Sequence, residues 1–210
     1  MIDFPTRTMI HRRMPKEMFY KNLQLSPVLK ARFVSDIERI VIENSLTSKN
    51  LNLEKETAIK EILLLSIILK KQVFDGRILE AIARQNAHKL IFRIAYEGQE
   101  QLAIYHGKLY RSAWLPETDT NLTLAGNNLD DIWDDLVRQV ALHSAAVRQQ
   151  TDQTLERQLA CQDEIDRLSK LIKKTEAAAW KEQQPKKRFA LYTKLQAYKQ
   201  QMEEIAHGKA

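Results

Sequence analysis

One cysteine, Cys161, stands in 210 residues. That excludes an internal disulfide framework and a thiolate zinc site, and it fits a reducing compartment. Glycine and proline occur five times each, too seldom for a loop-rich or low-complexity chain. The longest apolar run, residues 62–69, contains Ser66 and stops at Lys70 and Lys71. As a helix it falls far short of the ~30 Å of hydrocarbon a membrane span must cross, so no membrane association is expected. Residues 1–7 contain no apolar stretch of the kind a leader peptide needs, and the expected location is cytoplasmic. Catalytic signatures are missing too: the chain has no GxxxxGK, GxGxxG, HExxH or GxSxG. Its five histidines, His11, His88, His106, His143 and His207, share no metal-ligand spacing. No catalytic residue, metal or cofactor is assigned from the sequence.

What is present suffices for a core, since 44% of the residues are hydrophobic. The net charge of +6 is unevenly spread. Residues 1–32 hold Arg7, Arg12, Arg13, Lys16, Lys21, Lys30 and Arg32 against Asp3 and Glu17. Residues 181–199 hold Lys181, Lys186, Lys187, Arg188, Lys194 and Lys199 against Glu182. Such patches attract phosphate backbones or acidic protein surfaces, although solvated helix faces have the same composition. Arg12, Arg13, Lys16 and Lys21, beside Phe19 and Tyr20, are the candidate nucleic-acid contacts, because aromatics interleaved with cations suit stacked bases and phosphates.

Residues 15–22 can form a short helix. Ser26-Pro27 then gives a serine N-cap and a proline at the first helical position, opening a helix to about Asp36. Residues 38–46 and 59–71 read as strands, 73–85 as an amphipathic helix, and 90–96, 101–105 and 109–114 as a meander with turns at 97–100 and 106–108. A further helix starts at Asn127 or Asn128 and can run on through Val147. The order strand, strand, helix, three-strand meander predicts an α+β fold with a mixed sheet and helices against one face.

From Thr154 to Ile205 apolar residues recur at alternating steps of four and three: Cys161, Ile165, Leu168, Ile172, Thr175 and Ala179, then Leu191, Leu195, Tyr198, Met202 and Ile205. This is the seam of a two-helix coiled coil, and Pro185 breaks it once. The expected organisation is therefore an α+β core over 1–147 and a C-terminal antiparallel α-helical hairpin over 148–210. Trp180, Lys186, Lys187, Arg188 and Tyr192 cluster near its tip and are the candidate partner-binding residues. Phe189 and Tyr192 also fit packing within the hairpin.

Two acidic constellations invite a metal. Asp130, Asp131, Asp134 and Asp135 fill the first turns of a helix, where carboxylates are favoured without any ion. Asp36, Glu38, Glu61, Lys70 and Lys71 supply the residue types of a restriction-type nuclease. Glu61 and Lys70, however, stand ~30 Å apart along one extended strand.

Phe19-Tyr20, residues 25–30 (Leu-Ser-Pro-Val-Leu-Lys), 33–40 (Phe-Val-Ser-Asp-Ile-Glu-Arg-Ile), 73–82 (Val-Phe-Asp-Gly-Arg-Ile-Leu-Glu-Ala-Ile) and the tail from Glu164 through Trp180 to Lys187 resemble, in order along nearly the whole chain, the bacterial domain of unknown function 4391 family. The resemblance implies no catalytic residues. It implies a setting, because members are commonly encoded beside helicases and DNA methyltransferases of restriction-like or phage-defence loci. The expectation is an accessory, interacting subunit of a DNA-processing or anti-phage defence assembly, bound to a helicase-like or other DNA-processing protein and without catalysis of its own. The alternative is a nucleic-acid-binding or nuclease subunit of the same kind of system, touching DNA or RNA. Pairing of the hairpin with a second copy, as a homodimer, is a third use of the tail.

Overall fold

The computed structural model describes residues 2, 4–53 and 57–206, with the backbone alone at residues 20, 21 and 206. Its sheet is built around Ile62–Leu69, which is buried on both faces and so has to be covered on both. In chain order the strands are β1 (Met9–Met14), β2 (Ile37–Leu46), β3 (Ile62–Leu69), β4 (Lys89–Tyr96), β5 (Gln99–His106), β6 (Lys108–Arg111) and the short β7 (Leu115–Pro116). The first six lie side by side in that order, and β7 pairs with the start of β5. Every pairing is antiparallel except β3 with β4, which runs parallel from Ile62↔Lys89 to Ile68↔Ala95. A parallel pair cannot be closed by a tight turn; here a helix makes the crossover.

The helices before and within this sheet are α1 (Lys16–Asn22), α2 (Pro27–Asp36), α3 (Ser48–Leu51) and α4 (Arg77–Arg84), followed by α5 (Leu129–Ala141). Ser26 caps α2 by accepting the Leu29 N–H at 3.3 Å, and Pro27 occupies the first turn. The crossover helix α4 is shorter than the predicted 73–85. Asp75 takes the Arg77 N–H at 3.1 Å and its guanidinium at 2.6 Å, holding the chain in a turn that starts the helix late and leaves Val73 exposed.

Phe33 of α2 and Ile78, Leu79 and Ile82 of α4 share one core with Leu63, Leu65, Ile67, Leu90, Phe92 and Ala103. Residues of the opposite parity face the other way. There Trp133 of α5 lies 3.4 Å from His106 and beneath Lys89, so α5 covers the second face. The predicted α+β mixed sheet is observed, but helices against one face only is corrected to helices on both. A β3 that is apolar at every position but Ser66 cannot leave one face to water.

The β4–β5 turn needs only Glu97 and Gly98, both at positive φ (45° and 75°), which suits the right-handed twist of a two-residue hairpin. β1 was not foreseen. It is an edge strand, exposed along most of its length, with an irregular register at His11 (φ 45°).

The chain divides into two compact units, Met1–Ala141 and Leu142–Ala210. α5 ends at Ala141 and does not run on through Val147; a separate turn, α6 (Ala145–Arg148), follows in the second unit. The side-chain oxygen of Gln162 accepts the N–H groups of both His143 and Ser144 at 2.9 Å, and Arg148 Nε donates to the Leu142 carbonyl at 2.6 Å. These bonds stabilise the interruption by satisfying backbone groups that a helix would otherwise have paired.

The rest of this unit is α7 (Leu155–Lys181) and α8 (Pro185–Ala206). Thr154 caps α7, accepting the Arg157 N–H at 3.4 Å. Residues 182–184 reverse the chain, and Pro185 opens α8 at the position where its missing N–H is harmless. The predicted seam is the observed one: Leu168, Ala179 and Leu195 are buried, and Ile165, Ile172, Thr175, Leu191, Tyr198, Met202 and Ile205 are half-buried. Ser169 Oγ stands 3.7 Å from Met202 Sδ, fixing the antiparallel register.

Candidate docking surface on the helical hairpin

The α7–α8 reversal presents large apolar groups to water. Trp180 is 80% exposed, Phe189 73% and Tyr192 42%. Phe189 and Tyr192 were expected to fit hairpin packing. The register excludes Phe189 from it, because Ala179, Leu191 and Leu195 fill the seam at that end. An exposed indole or phenyl ring gains nothing from burial within its own fold, so three of them around one turn make an unpartnered apolar surface.

Cations surround these rings. Between residues 170 and 199 the hairpin has nine lysines and arginines against Glu176 and Glu182. Lys186, Lys187 and Arg188 are all exposed and sit in the opening turns of α8, whose first turn has no acidic residue. Cations at a helix N-terminus oppose the macrodipole, so local helix stability does not account for them. The opposite end has the reverse charge: residues 152–168 and 200–205 carry seven acids against Arg157 and Arg167. Antiparallel pairing brings those two stretches to one end, and the hairpin is polarised from an acidic foot to a basic, aromatic tip.

Of the N-terminal candidates, Arg13 and Lys16 line one cavity, together with Glu17, Glu38 and Arg39. Arg12 pairs with Ile42 and Arg13 with Val41, so the two point to opposite faces of β1. Lys16 Nζ donates to the Ile37 carbonyl at the start of β2. Burial lowers its pKa, and the neighbouring charge of Lys70 lowers it further. The Lys21 side chain lies outside the described residues.

The aspartates of α5 have structural work. Asp130 accepts the Ile59 N–H at 3.0 Å, Asp131 is bonded by Asn128 at 2.8 Å, and Asp135 accepts from Gln139 at 2.6 Å. Among the described residues no three of His, Cys, Asp and Glu are grouped to hold a metal ion. One acid–lysine pair does form, between the last residue of α2 and the chain just past β3: Lys71 Nζ lies 2.6 Å from Asp36 Oδ1. Burial alone would raise the Asp36 carboxyl, but the hydrogen bonds from Lys71 and Ser35 outweigh it and hold the group below the usual carboxylate range. Glu61 is bonded instead by Ser45, and Lys70 Nζ by the Val34 carbonyl at 3.1 Å.

Sequence reasoning also missed a buried ion pair. Arg93 Nε lies 2.9 Å from Glu100 Oε1, with Glu100 nearly sealed from solvent. The signal was present once β4 and β5 were joined by a two-residue turn: Arg93 and Glu100 then occupy diagonal positions on one face.

No curated protein and no solved structure matches this chain. A family model described as a domain of unknown function (DUF4391) matches residues 2–202. With the match spanning nearly the whole sequence, the chain belongs to the DUF4391 family.

Proposed function

We propose that this chain is an accessory subunit without catalysis of its own, which docks through the tip of the α7–α8 hairpin onto a helicase-like or other DNA-processing protein of a bacterial DNA-processing or anti-phage defence assembly. The observation that carries the reading is the exposed trio Trp180, Phe189 and Tyr192 set among Lys186, Lys187 and Arg188. Aromatic anchors bury area on a partner at low entropic cost, and the cations steer an acidic surface toward them. The sequence resemblance supplies the setting.

The test is capture from the native host with tagged full-length protein, comparing wild type with Trp180→Ser/Phe189→Ser. Exposed substitutions leave the helix pair intact, so circular dichroism is expected to be unchanged while a DNA-processing protein is lost from the captured set. Identical captured sets would refute the assignment. The basic tip also favours a second reading, phosphate-backbone binding. It predicts an affinity for DNA or RNA that falls about tenfold or more between low and moderate salt and responds to Lys186→Ala/Lys187→Ala/Arg188→Ala more than to loss of the rings.

A further inference from the structure

One cavity of about 190 Å³ in the first unit has no charged side chain in its described lining. Its apolar walls are Met14 at the end of β1, Met18, Phe19 and Leu23 in and just after α1, and Ile82 of α4. Two of these walls are held by the core: Ile82 is buried, and the Phe19 ring is backed by Phe33, with centroids 5.8 Å apart. Asn22, Gln85 and Asn86 complete the lining and are exposed. Two of these amides have a settled orientation. Gln85 Oε1 accepts the Gln24 N–H at 2.7 Å, and Asn86 Oδ1 accepts the His88 N–H at 2.9 Å. A backbone N–H only donates, so the oxygens face those bonds, and the NH₂ group of each amide is its donating end.

Size and lining limit what can enter. An apolar cavity of about 150 Å³ holds one benzene ring. At about 190 Å³ this one takes a single ring with a small substituent and excludes a nucleotide or a fused-ring cofactor, whose sites start at about 300 Å³. An ion would lose water here without meeting a countercharge. Polarisable thioether sulfurs and the Phe19 ring favour an aromatic ring over an aliphatic one. We propose that this cavity binds a neutral, single-ring aromatic molecule bearing a hydrogen-bond acceptor, its ring against Met14, Met18 and Phe19 and its acceptor bonded by the NH₂ group of Gln85 or Asn86. The site lies wholly within the first unit and does not depend on the docking role of the hairpin.

The test uses the full-length chain with carbon-13 in its methionine methyl groups. The probe is acetophenone, one aromatic ring carrying one carbonyl acceptor, titrated to about 10 mM. A bound ring displaces nearby methyl signals through its ring current. Met14 and Met18 are expected to move along one saturable curve, while Met9 and Met202, which do not line the cavity, stay in place. Cyclohexyl methyl ketone, which keeps the size and the acceptor but not the aromatic ring, is expected to compete at least about threefold more weakly. Gln85→Glu/Asn86→Asp keeps the oxygens that accept the two backbone N–H groups and replaces both NH₂ donors with acceptors. It is expected to weaken acetophenone binding about tenfold. Both positions are exposed, and an unaltered ligand-free methionine spectrum confirms that the variant is folded. Methionine signals that stay unmoved, or that all move without saturation, would overturn the proposal. So would equal binding of the two ketones by the wild type, or an affinity unchanged in the double variant.

Discussion

Arg93→Met tests the energetics of the first unit. In the folded chain the Arg93 side chain is 23% exposed and that of Glu100 3%. Removing the guanidinium leaves a carboxylate sealed between strands without its nearest cation. Breaking one side of a fully buried pair costs about 3–5 kcal/mol; the partial exposure of Arg93 places this case at the lower end, about 3 kcal/mol at a pH near 8. For a chain of this size that corresponds to a fall of about 6–12 °C in Tm. The pH dependence is the sharper reading. Burial pushes the Glu100 carboxyl above its ordinary range, against the pull of Arg93. A carboxyl raised in the fold contributes stability that is fully present below the unfolded pKa and is lost as pH rises through the folded pKa. Without Arg93 the folded value rises further. The deficit of the variant should therefore shrink as pH falls toward that value, by at most about 1.4 kcal/mol per pH unit, because the orphaned group can take a proton. Glu100→Gln should cost less than Arg93→Met, since Arg93 keeps contact with water and has Glu117 at 3.9 Å. Adding Glu100→Gln to Arg93→Met should restore most of the loss. Urea unfolding across pH gives the totals, and hydrogen exchange of the β3–β5 amides separates this unit from the hairpin. Equal losses in the two single variants, or a deficit in Arg93→Met that does not change with pH, would refute the reasoning.

Leu195→Ala removes a buried seam residue that is 4% exposed; it should destabilise the hairpin by about 2–4 kcal/mol, read as lost amide protection along α8. Gln162→Leu strips the acceptor shared by His143 and Ser144 and should speed exchange of those two amides, at about 1–3 kcal/mol per unpaired group. The purified chain should not cut DNA or RNA with Mg²⁺ or Mn²⁺; reproducible cleavage abolished by Asp36→Ala or Glu61→Ala would promote the nuclease alternative. A fragment ending at Ala141, the limit of the first unit, should unfold cooperatively on its own and fail to bind the hairpin's partner; full-affinity binding by that fragment would move the interface elsewhere.

The legible parts of the fold were those whose burial is one-sided or complete. β3 reads as a strand because nearly every position is apolar, and the coiled-coil seam because apolar residues recur along both helices at alternating steps of four and three. β1 escaped because its sequence, Met-Ile-His-Arg-Arg-Met, alternates nothing: an edge strand bonded on one side and wet on both faces needs no apolar period, and cations there discourage further pairing. The start of α7 has a second apolar face, Leu155, Gln158, Leu159 and Gln162, at helical spacing. Its two glutamines disguised it, since they are buried to bond the backbone of 142–153, and sequence does not distinguish such an amide from a solvated one. At the tip, Trp180 and the cations were legible. The exposure of Phe189 was not, because heptad spacing tolerates an aromatic on either side of the seam. The spacing argument against an acid–lysine pair considered positions along one strand, and Asp36 with Lys71 shows that a helix end leading into β2 and the chain leaving β3 bring together what the sequence separates.

The division of the hairpin into an acidic foot and a basic tip has a consequence for how it meets other molecules. Opposite charges at the two ends of an α7 about 40 Å long form a large electric dipole along the helix axes. A negatively charged surface then exerts a torque on the hairpin before any atoms touch, and encounters are sorted by orientation as well as by rate, with the aromatic rings arriving first. This guidance extends over about one Debye length, about 8 Å at physiological ionic strength. Added salt should therefore shorten the reach of alignment while leaving the apolar contacts, once made, almost as long-lived as before.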